Sequence, residues 1–138
     1  MARSTARIGG AVAALLTAAL LAGCAGPTPY SDFERTRDDR DVLPDLGTVD
    51  DSIDLDSVRY AGSADGAAVY IALSADDDAR CMIVLTEYEP FSGCGGGELE
   101  TSMPGAFVAR LHPDGAGPED SPGLDWTALG ENVSVRAG

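Results

Sequence analysis

The sequence predicts a mainly β fold, with an α+β arrangement left open: a small antiparallel sheet with a short N-terminal helix, stapled by one disulfide. Short apolar stretches recur through the second half of the chain, and turn signals rich in Gly, Pro and Asp separate them about every ten residues. The compact part has only about 80 residues, so its core is thin and a disulfide would stabilise it appreciably.

The apolar stretches define the predicted strands in chain order. In the second of them Val69, Ile71 and Leu73 share one face and Tyr70 lies on the other, whereas the third is apolar on both faces, as expected in mid-sheet. Residues 93–97 are too rich in glycine for regular structure, and Phe107 and Leu111 are expected in the core. The predicted strands are residues 58–60, 67–73, 80–86, 106–111 and 132–136, with a further apolar stretch at 124–129.

A short helix is predicted before the sheet, from about Asp32 to Asp41. Ser31 and Glu34 have the spacing of a capping box, and Pro44 ends the segment. The chain is then acidic up to Asp56, which is typical of a solvated linker.

The N-terminus has the layout of a signal peptide. Arg3 and Arg7 precede an apolar run at 8–22, which is too short for a retained spanning helix. The run ends in Leu21, Ala22, Gly23 and Cys24, which resembles the lipobox of bacterial lipoproteins. This resemblance implies peptidase recognition at Leu21 to Gly23 and lipidation of Cys24.

Three regions follow from these features: a signal peptide at 1–23, a lipidated Cys24 with tether, helix and acidic linker at 24–56, and a β-rich extracytoplasmic domain at 57–138. We expect the protein to lie on the extracytoplasmic side of the cell membrane, where a lipid anchor holds it. Two or more acyl chains anchor a protein stably, since each buried methylene contributes about 0.8 kcal/mol.

Cysteine usage indicates the same compartment. Lipidation of Cys24 leaves Cys81 and Cys94 as an even pair on the oxidising side of the membrane, which favours a disulfide. The alternative is a metal site, but the single His112 and two widely spaced cysteines lack the close ligand pairs of zinc sites.

The domain also resembles a group of small uncharacterised actinobacterial lipoproteins, over roughly residues 43–138. The matching segments are residues 56–60, 66–70, 81–84, 92–94 and 129–133. This resemblance implies a bonded Cys81 and Cys94, and it implies no activity and no catalytic residue.

Charge excludes several functions. The net charge is −14, which repels a nucleic-acid backbone, so we expect no nucleic-acid partner. All nine basic residues are Arg, and the absence of Lys removes P-loop and Schiff-base chemistry. We therefore expect no cofactor.

Two further kinds of site have weak support. The acidic runs at 50–56 and 76–78 offer oxygen ligands for calcium, but their spacing fails the EF-hand loop, so solvated acidic turns explain them better and no metal site is expected. A carboxylate pair for hydrolysis stays open because the chain has 23 acidic residues. His112, the only imidazole, precedes a Pro-Asp-Gly turn, and a turn residue is the favoured interpretation.

The leading functional hypothesis is therefore a non-catalytic, membrane-anchored lipoprotein that acts as a partner-binding or accessory envelope module. A small envelope hydrolase using carboxylates and a divalent-cation sensor are the alternatives. Tyr70, Tyr88 and Phe91 lie on or beside strands and form the candidate surface for an envelope protein, because aromatic residues dominate binding hot spots.

Substituting Cys24→Ala should release the protein from membranes or leave it unprocessed, because the acceptor of the lipid is lost. Detergent phase partitioning and intact mass measure both effects. A variant that stays in the detergent phase at mature size would contradict lipidation.

Overall fold

The computed structural model describes residues 29–44, 51–119 and 122–138. They form two four-stranded antiparallel sheets, with strand orders β1-β2-β3-β4 and β5-β6-β8-β7. The strands are β1 (Ile53–Ala64), β2 (Ala67–Ser74), β3 (Arg80–Leu85), β4 (Pro90–Gly95), β5 (Leu99–Met103), β6 (Phe107–Leu111), β7 (Thr127–Ala128) and β8 (Val133–Ala137). The mainly β prediction is confirmed, with two sheets in place of one.

The two sheets pack face to face around a shared core. Alternate residues of β2 and β3 supply one wall, and alternate residues of β6 and β8 supply the other. The fully buried members are Val69, Ile71, Met82, Val84, Phe107, Ala109, Leu111 and Val133. The predicted core positions Phe107 and Leu111 are thus confirmed.

The outer face of the first sheet is also buried, and Ile53 and Val58 of β1 belong to the apolar cluster there. Between Asp54 and Arg59 the strand bulges, so that these six residues of β1 lie opposite only three residues of β2, 71–73. The bulge places Val58 against Tyr70 and Ile83 in a second apolar cluster, where Val58 is 1% exposed. β1 therefore begins at Ile53, inside the stretch expected to be linker.

The β1–β2 hairpin turns within two residues, whereas the predicted strands leave residues 61–66 between them. Its loop is Asp65 and Gly66, and both have positive φ angles, 48° and 78°. An Asp-Gly pair with this backbone is typical of a two-residue type I′ turn, whose twist matches that of the paired strands.

The predicted N-terminal helix is wrong. Residues 32–41 hold only two 3-10 turns, Ser31–Phe33 and Asp39–Asp41. Isolated helices this short are marginal, and here side-chain contacts to the sheets outweigh helical hydrogen bonds.

One of these contacts is the buried carboxylate of Asp41, which is fully enclosed. It binds the Arg35 guanidinium through two bonds of 2.7 and 2.6 Å and accepts backbone N–H bonds from Asp38 and from Tyr60 of β1. Burial opposes ionisation, but these donors together hold the pKa of Asp41 well below its usual range. The carboxylate thus pins the segment to β1.

A second polar cluster fastens the start of the segment to the other sheet. Asp114 accepts from the backbone N–H of Ser31 and from the side-chain amide of Asn132, at 2.9 and 2.7 Å. Asn132 and Asp32 exchange two further bonds of 2.9 Å each. The Ser31 N–H, followed by the Asn132 amide, lowers the pKa of Asp114. The chain consequently enters the fold beside the end of β6.

β3 lies between β2 and β4, as its two apolar faces predict. The glycine-rich stretch at 93–97 was expected to be irregular, but its first three residues belong to β4. Cys81 and Cys94 are directly opposite each other on β3 and β4, with Cα atoms 4.0 Å apart, and they form the predicted disulfide.

The sandwich has two distinct ends. Pro29 accepts the Asp114 N–H bond, and the Arg80 guanidinium lies 3.8 Å from the centre of the Tyr30 ring, so the chain enters at the end that holds Arg80 and Leu111. We call this the entry end. The loop at 86–89 and the turn after Met103 lie at the opposite, far end, about 17 Å away along β6.

The double variant Cys81→Ala/Cys94→Ala should lose about 2 to 5 kcal/mol of unfolding free energy, the usual loss for a small secreted domain. Urea denaturation measures the loss, and intact mass before and after reduction confirms the bond in the parent. Equal stability of variant and parent would contradict a stabilising disulfide.

Asp41→Asn should lower the unfolding free energy by about 3 kcal/mol at pH 7, because it leaves Arg35 without its buried partner. Since the folded pKa is lowered, the carboxylate's contribution is complete above the unfolded value of about 4 and declines as the pH falls from about 5. The parent should therefore lose more stability than Asp41→Asn between pH 6 and about 3.

Asp39→Asn is the matched control, because Asp39 is exposed in the same 3-10 turn. It should change stability by less than about 0.5 kcal/mol. Equal effects of the two variants in urea titrations would show that Asp41 has no special role.

Candidate functional site

An apolar groove opens at the far end of the sandwich, between the β3–β4 loop and the β5–β6 turn. Its volume is about 400 Å³, which suits a few side chains of a partner. The groove, which we call the Tyr88 groove, is lined by Thr86, Tyr88, Glu89, Phe91, Ser102, Met103 and Pro104.

Tyr88 stands out because it is 86% exposed, the most exposed large apolar side chain of the described residues. Its loop is held in place by Thr86, whose hydroxyl accepts the backbone N–H bonds of Tyr88 and Glu89 and donates to the Glu89 carbonyl. The ring is therefore presented to solvent from a fixed loop, which reduces the entropy lost on binding.

The other wall of the groove is the turn between β5 and β6. The N–H of Ala106 donates to the carbonyl of Met103 at 3.0 Å, and Gly105 has φ 76°. Proline followed by a glycine of positive φ is typical of a type II turn. The turn places Pro104 at the rim, with Met103 and Phe91 half-buried below it and packed on the shared core.

The surroundings of the groove are strongly acidic. Residues 86–104 contain Glu87, Glu89, Glu98 and Glu100 and no arginine. All four are exposed, and in the described part of the chain Glu100 alone forms an ion pair, with the Arg110 guanidinium at 2.6 Å on the next strand. A basic partner would therefore be attracted to this end of the molecule.

The three aromatic residues proposed as one surface do not lie together. The Val69–Val84–Phe91 row faces the shared core, so Tyr70, one residue along, faces the opposite side of the sheet. Tyr70 is 7% exposed and packs edge-on against Tyr60, with ring centres 5.2 Å apart. Tyr70 is thus removed from the candidate surface, while Tyr88 and Phe91 are neighbours in the groove.

The groove sits on one of the two lateral seams between the sheets. Along the opposite seam, a Cβ at Gly62 of β1 would lie 3.1 Å from Leu129, and the guanidinium of Arg59 donates to the carbonyls of Phe33 and Arg35. Residues 29–44 thus close that side. At the β4–β5 side, no described segment crosses the seam near the groove.

His112 is a buried side chain and not simply a turn residue. Its exposure is 3%, its Nδ1 donates to the Pro113 carbonyl, and its Nε2 shares a hydrogen bond of 2.9 Å with the Ser134 hydroxyl. A cavity of about 330 Å³ reaches both side chains. However, no carboxylate of the described residues hydrogen-bonds to the ring, and the Asp114 Oδ1 binds Ser31 and Asn132 instead.

The carboxylates give the hydrolase and cation alternatives no support. A general acid needs a raised pKa, yet among the described residues the carboxyl pKa values that are displaced, those of Asp38, Asp41, Asp77 and Asp114, are all lowered. The 76–78 turn is exposed and uses Asp77 to accept the Ala79 N–H. Within the described ranges, no three metal-ligating side chains come together.

Several predicted features lie outside the described residues. They are the signal peptide, Leu21 to Gly23, Cys24 and the part of the acidic linker at 45–50. Within the part that the structure does describe, no helix has the length and apolarity to span a membrane.

Comparison with known proteins adds no assignment: no family model, no curated protein and no solved structure matches the chain.

Sequence reasoning missed half of the groove. Met103 and Pro104 were not singled out, although Pro104 followed by Gly105 is a turn signal. Their proximity to Tyr88 depends on the packing of the second sheet against the first, which no local pattern reveals.

Proposed function

We propose that this protein is a non-catalytic partner-binding module of the cell envelope, held on the extracytoplasmic side of the membrane by a lipid on Cys24, and that the Tyr88 groove binds a basic protein partner. The observation that carries the proposal is the exposed Tyr88 ring on a fixed loop beside an apolar groove with an acidic rim.

The composition of the groove supports a protein partner. Interface cores are enriched in Tyr, Phe and Met, which line this groove, and their rims are polar. Glu87 and Glu89 flank the ring and would steer a basic surface toward it, accelerating association at low salt.

The position of the groove supports the anchored arrangement. The chain enters the fold at the end that holds Asp114, and the groove lies at the far end. A lipid on Cys24 would tether the entry end through residues 25–28, so the groove would face away from the bilayer. The net charge of −14 would further keep the domain off anionic headgroups.

Replacing Tyr88 with a photo-crosslinking phenylalanine analogue should give one discrete adduct in the native envelope. An excess of the soluble parent domain should compete the adduct away, whereas the Tyr88→Ala domain should compete at least about 30-fold less well, the loss expected for a hot-spot residue. Tyr88→Ala should leave stability unchanged within about 0.5 kcal/mol, because the ring is exposed.

The matched control places the crosslinker at Leu55, which is 57% exposed on the bulge of β1. This position should give no adduct that the soluble domain competes away. Identical adducts from both positions, or none from position 88, would overturn the binding role of the groove. High salt should weaken the adduct at position 88, since exposed charges are screened.

A further inference from the structure

The strand next to the Tyr88 groove has an unpaired edge. β4 is the last strand of its sheet, and among the described residues only β3 pairs with it. Ser92, Gly93 and Cys94 are all exposed. An edge of this kind presents a row of free N–H and C=O groups to any extended chain.

The pairing register shows which backbone groups point outward. Cys81 and Cys94 have Cα atoms 4.0 Å apart, a separation typical of the closely spaced pairs that share no hydrogen bonds. Such pairs alternate along a ladder, so Ile83–Ser92 and Leu85–Pro90 are of the same kind. The N–H groups of Ser92 and Cys94 therefore point away from β3.

Pro90 agrees with this assignment, because it occupies an outward-pointing position where its missing N–H removes no bond of the ladder. The carbonyls of Pro90, Ser92 and Cys94 point outward as well. Together these groups form a regular array of two donors and three acceptors along β4.

The edge has little of the usual protection against pairing. Natural edge strands carry charged side chains, prolines or bulges, whereas β4 has a proline only at its first position, contains no charged residue and pairs with β3 in continuous register. The disulfide also holds the C-terminal part of β4 against β3, which restrains that part of the edge before any partner arrives.

The edge and the groove are continuous, because Phe91 of β4 lines the groove. A strand added to β4 would pass the groove and could place one side chain between Phe91 and Met103. Main-chain bonds would supply affinity, and the pocket would supply specificity.

From these observations we infer that the partner presents an extended basic segment, which adds to the β4 edge as a fifth strand and places an apolar side chain in the Tyr88 groove. The inference rests on the proposed function and specifies how the groove is used. The exposed glutamates around the edge select the partner: Glu87, Glu89 and Glu98 form no ion pair among the described residues. The nearby cations are engaged elsewhere, because Arg80 lies over the Tyr30 ring and Arg110 pairs with Glu100. Two copies of this chain would repel each other there, which disfavours self-pairing.

The test uses a displayed library of short random peptides, selected against the domain at low salt. We expect enriched peptides rich in Arg or Lys, with one bulky apolar residue and no central proline. When the parent domain binds a synthetic version of an enriched peptide, hydrogen exchange at the Ser92 and Cys94 amides should become at least tenfold slower, because both acquire acceptors.

Variants at Ser92 distinguish strand addition from other modes of peptide binding. Ser92→Pro removes one outward N–H and should weaken peptide binding at least tenfold, while Ser92→Ala keeps the N–H and should bind like the parent. Denaturation and intact mass check that Ser92→Pro folds with its disulfide. If Ser92→Pro does not fold, hydrogen exchange at the Ser92 and Cys94 amides of the parent domain is the measurement that decides whether the peptide adds as a strand.

Each outcome has a defined meaning. Failure to enrich any peptide, enrichment of acidic peptides, or binding without protection of both amides would overturn strand addition. If the soluble Tyr88→Ala domain fails to compete for the adduct at position 88 while the Ser92→Pro domain competes like the parent, the groove function stands and strand addition falls. Concentration-dependent dimerisation that protects the same amides would replace the basic partner by a second copy of this chain.

Discussion

The docking of residues 29–44 by two carboxylate clusters, one buried around Asp41 and one half-buried around Asp114, is the constraint on which the organisation of this molecule depends. Asp41 holds the segment to β1 through Arg35 and the Tyr60 N–H, and Asp114 with Asn132 holds its start beside β6. Because these bonds connect the segment to both sheets, they close one lateral seam and determine where the chain enters. A buried carboxylate that lost its donors would be costly, so the two clusters also select one arrangement of the segment.

The opposite side of the sandwich is determined by the small size of the domain. A domain of this size has few residues with which to build its core, and both faces of the first sheet are already buried, one against the second sheet and one under the β1 bulge. At the other seam β4 stays an edge strand, cross-linked to β3 by the disulfide. The free edge and the apolar groove beside it are therefore two consequences of the same topology.

Polar groups in this protein have one of two roles: some stabilise the fold through hydrogen bonds, and others are exposed on the surface. Asp41, Asp114, Asn132 and His112 are engaged in hydrogen bonds that fasten loops to strands. The glutamates near β4 are exposed, and they determine the electrostatic character of the far end. This division explains why an acidic chain can have carboxylates essential for folding and others free to steer a partner.

The sequence alone predicted what depends on local pattern. Alternation and continuous apolarity located β2, β3, β6 and β8 to within about two residues, since side-chain burial in a strand repeats every second position. The two remaining cysteines indicated the disulfide, which the register of β3 and β4 then made possible. Only the tertiary structure decided that the strands form two sheets, that Tyr70 is buried while Tyr88 is exposed, and that residues 32–41 are not helical. These outcomes depend on which faces meet and which donors reach a buried carboxylate. Such long-range contacts carry no periodic signal, because Asp32 and Asn132 lie 100 residues apart in the chain.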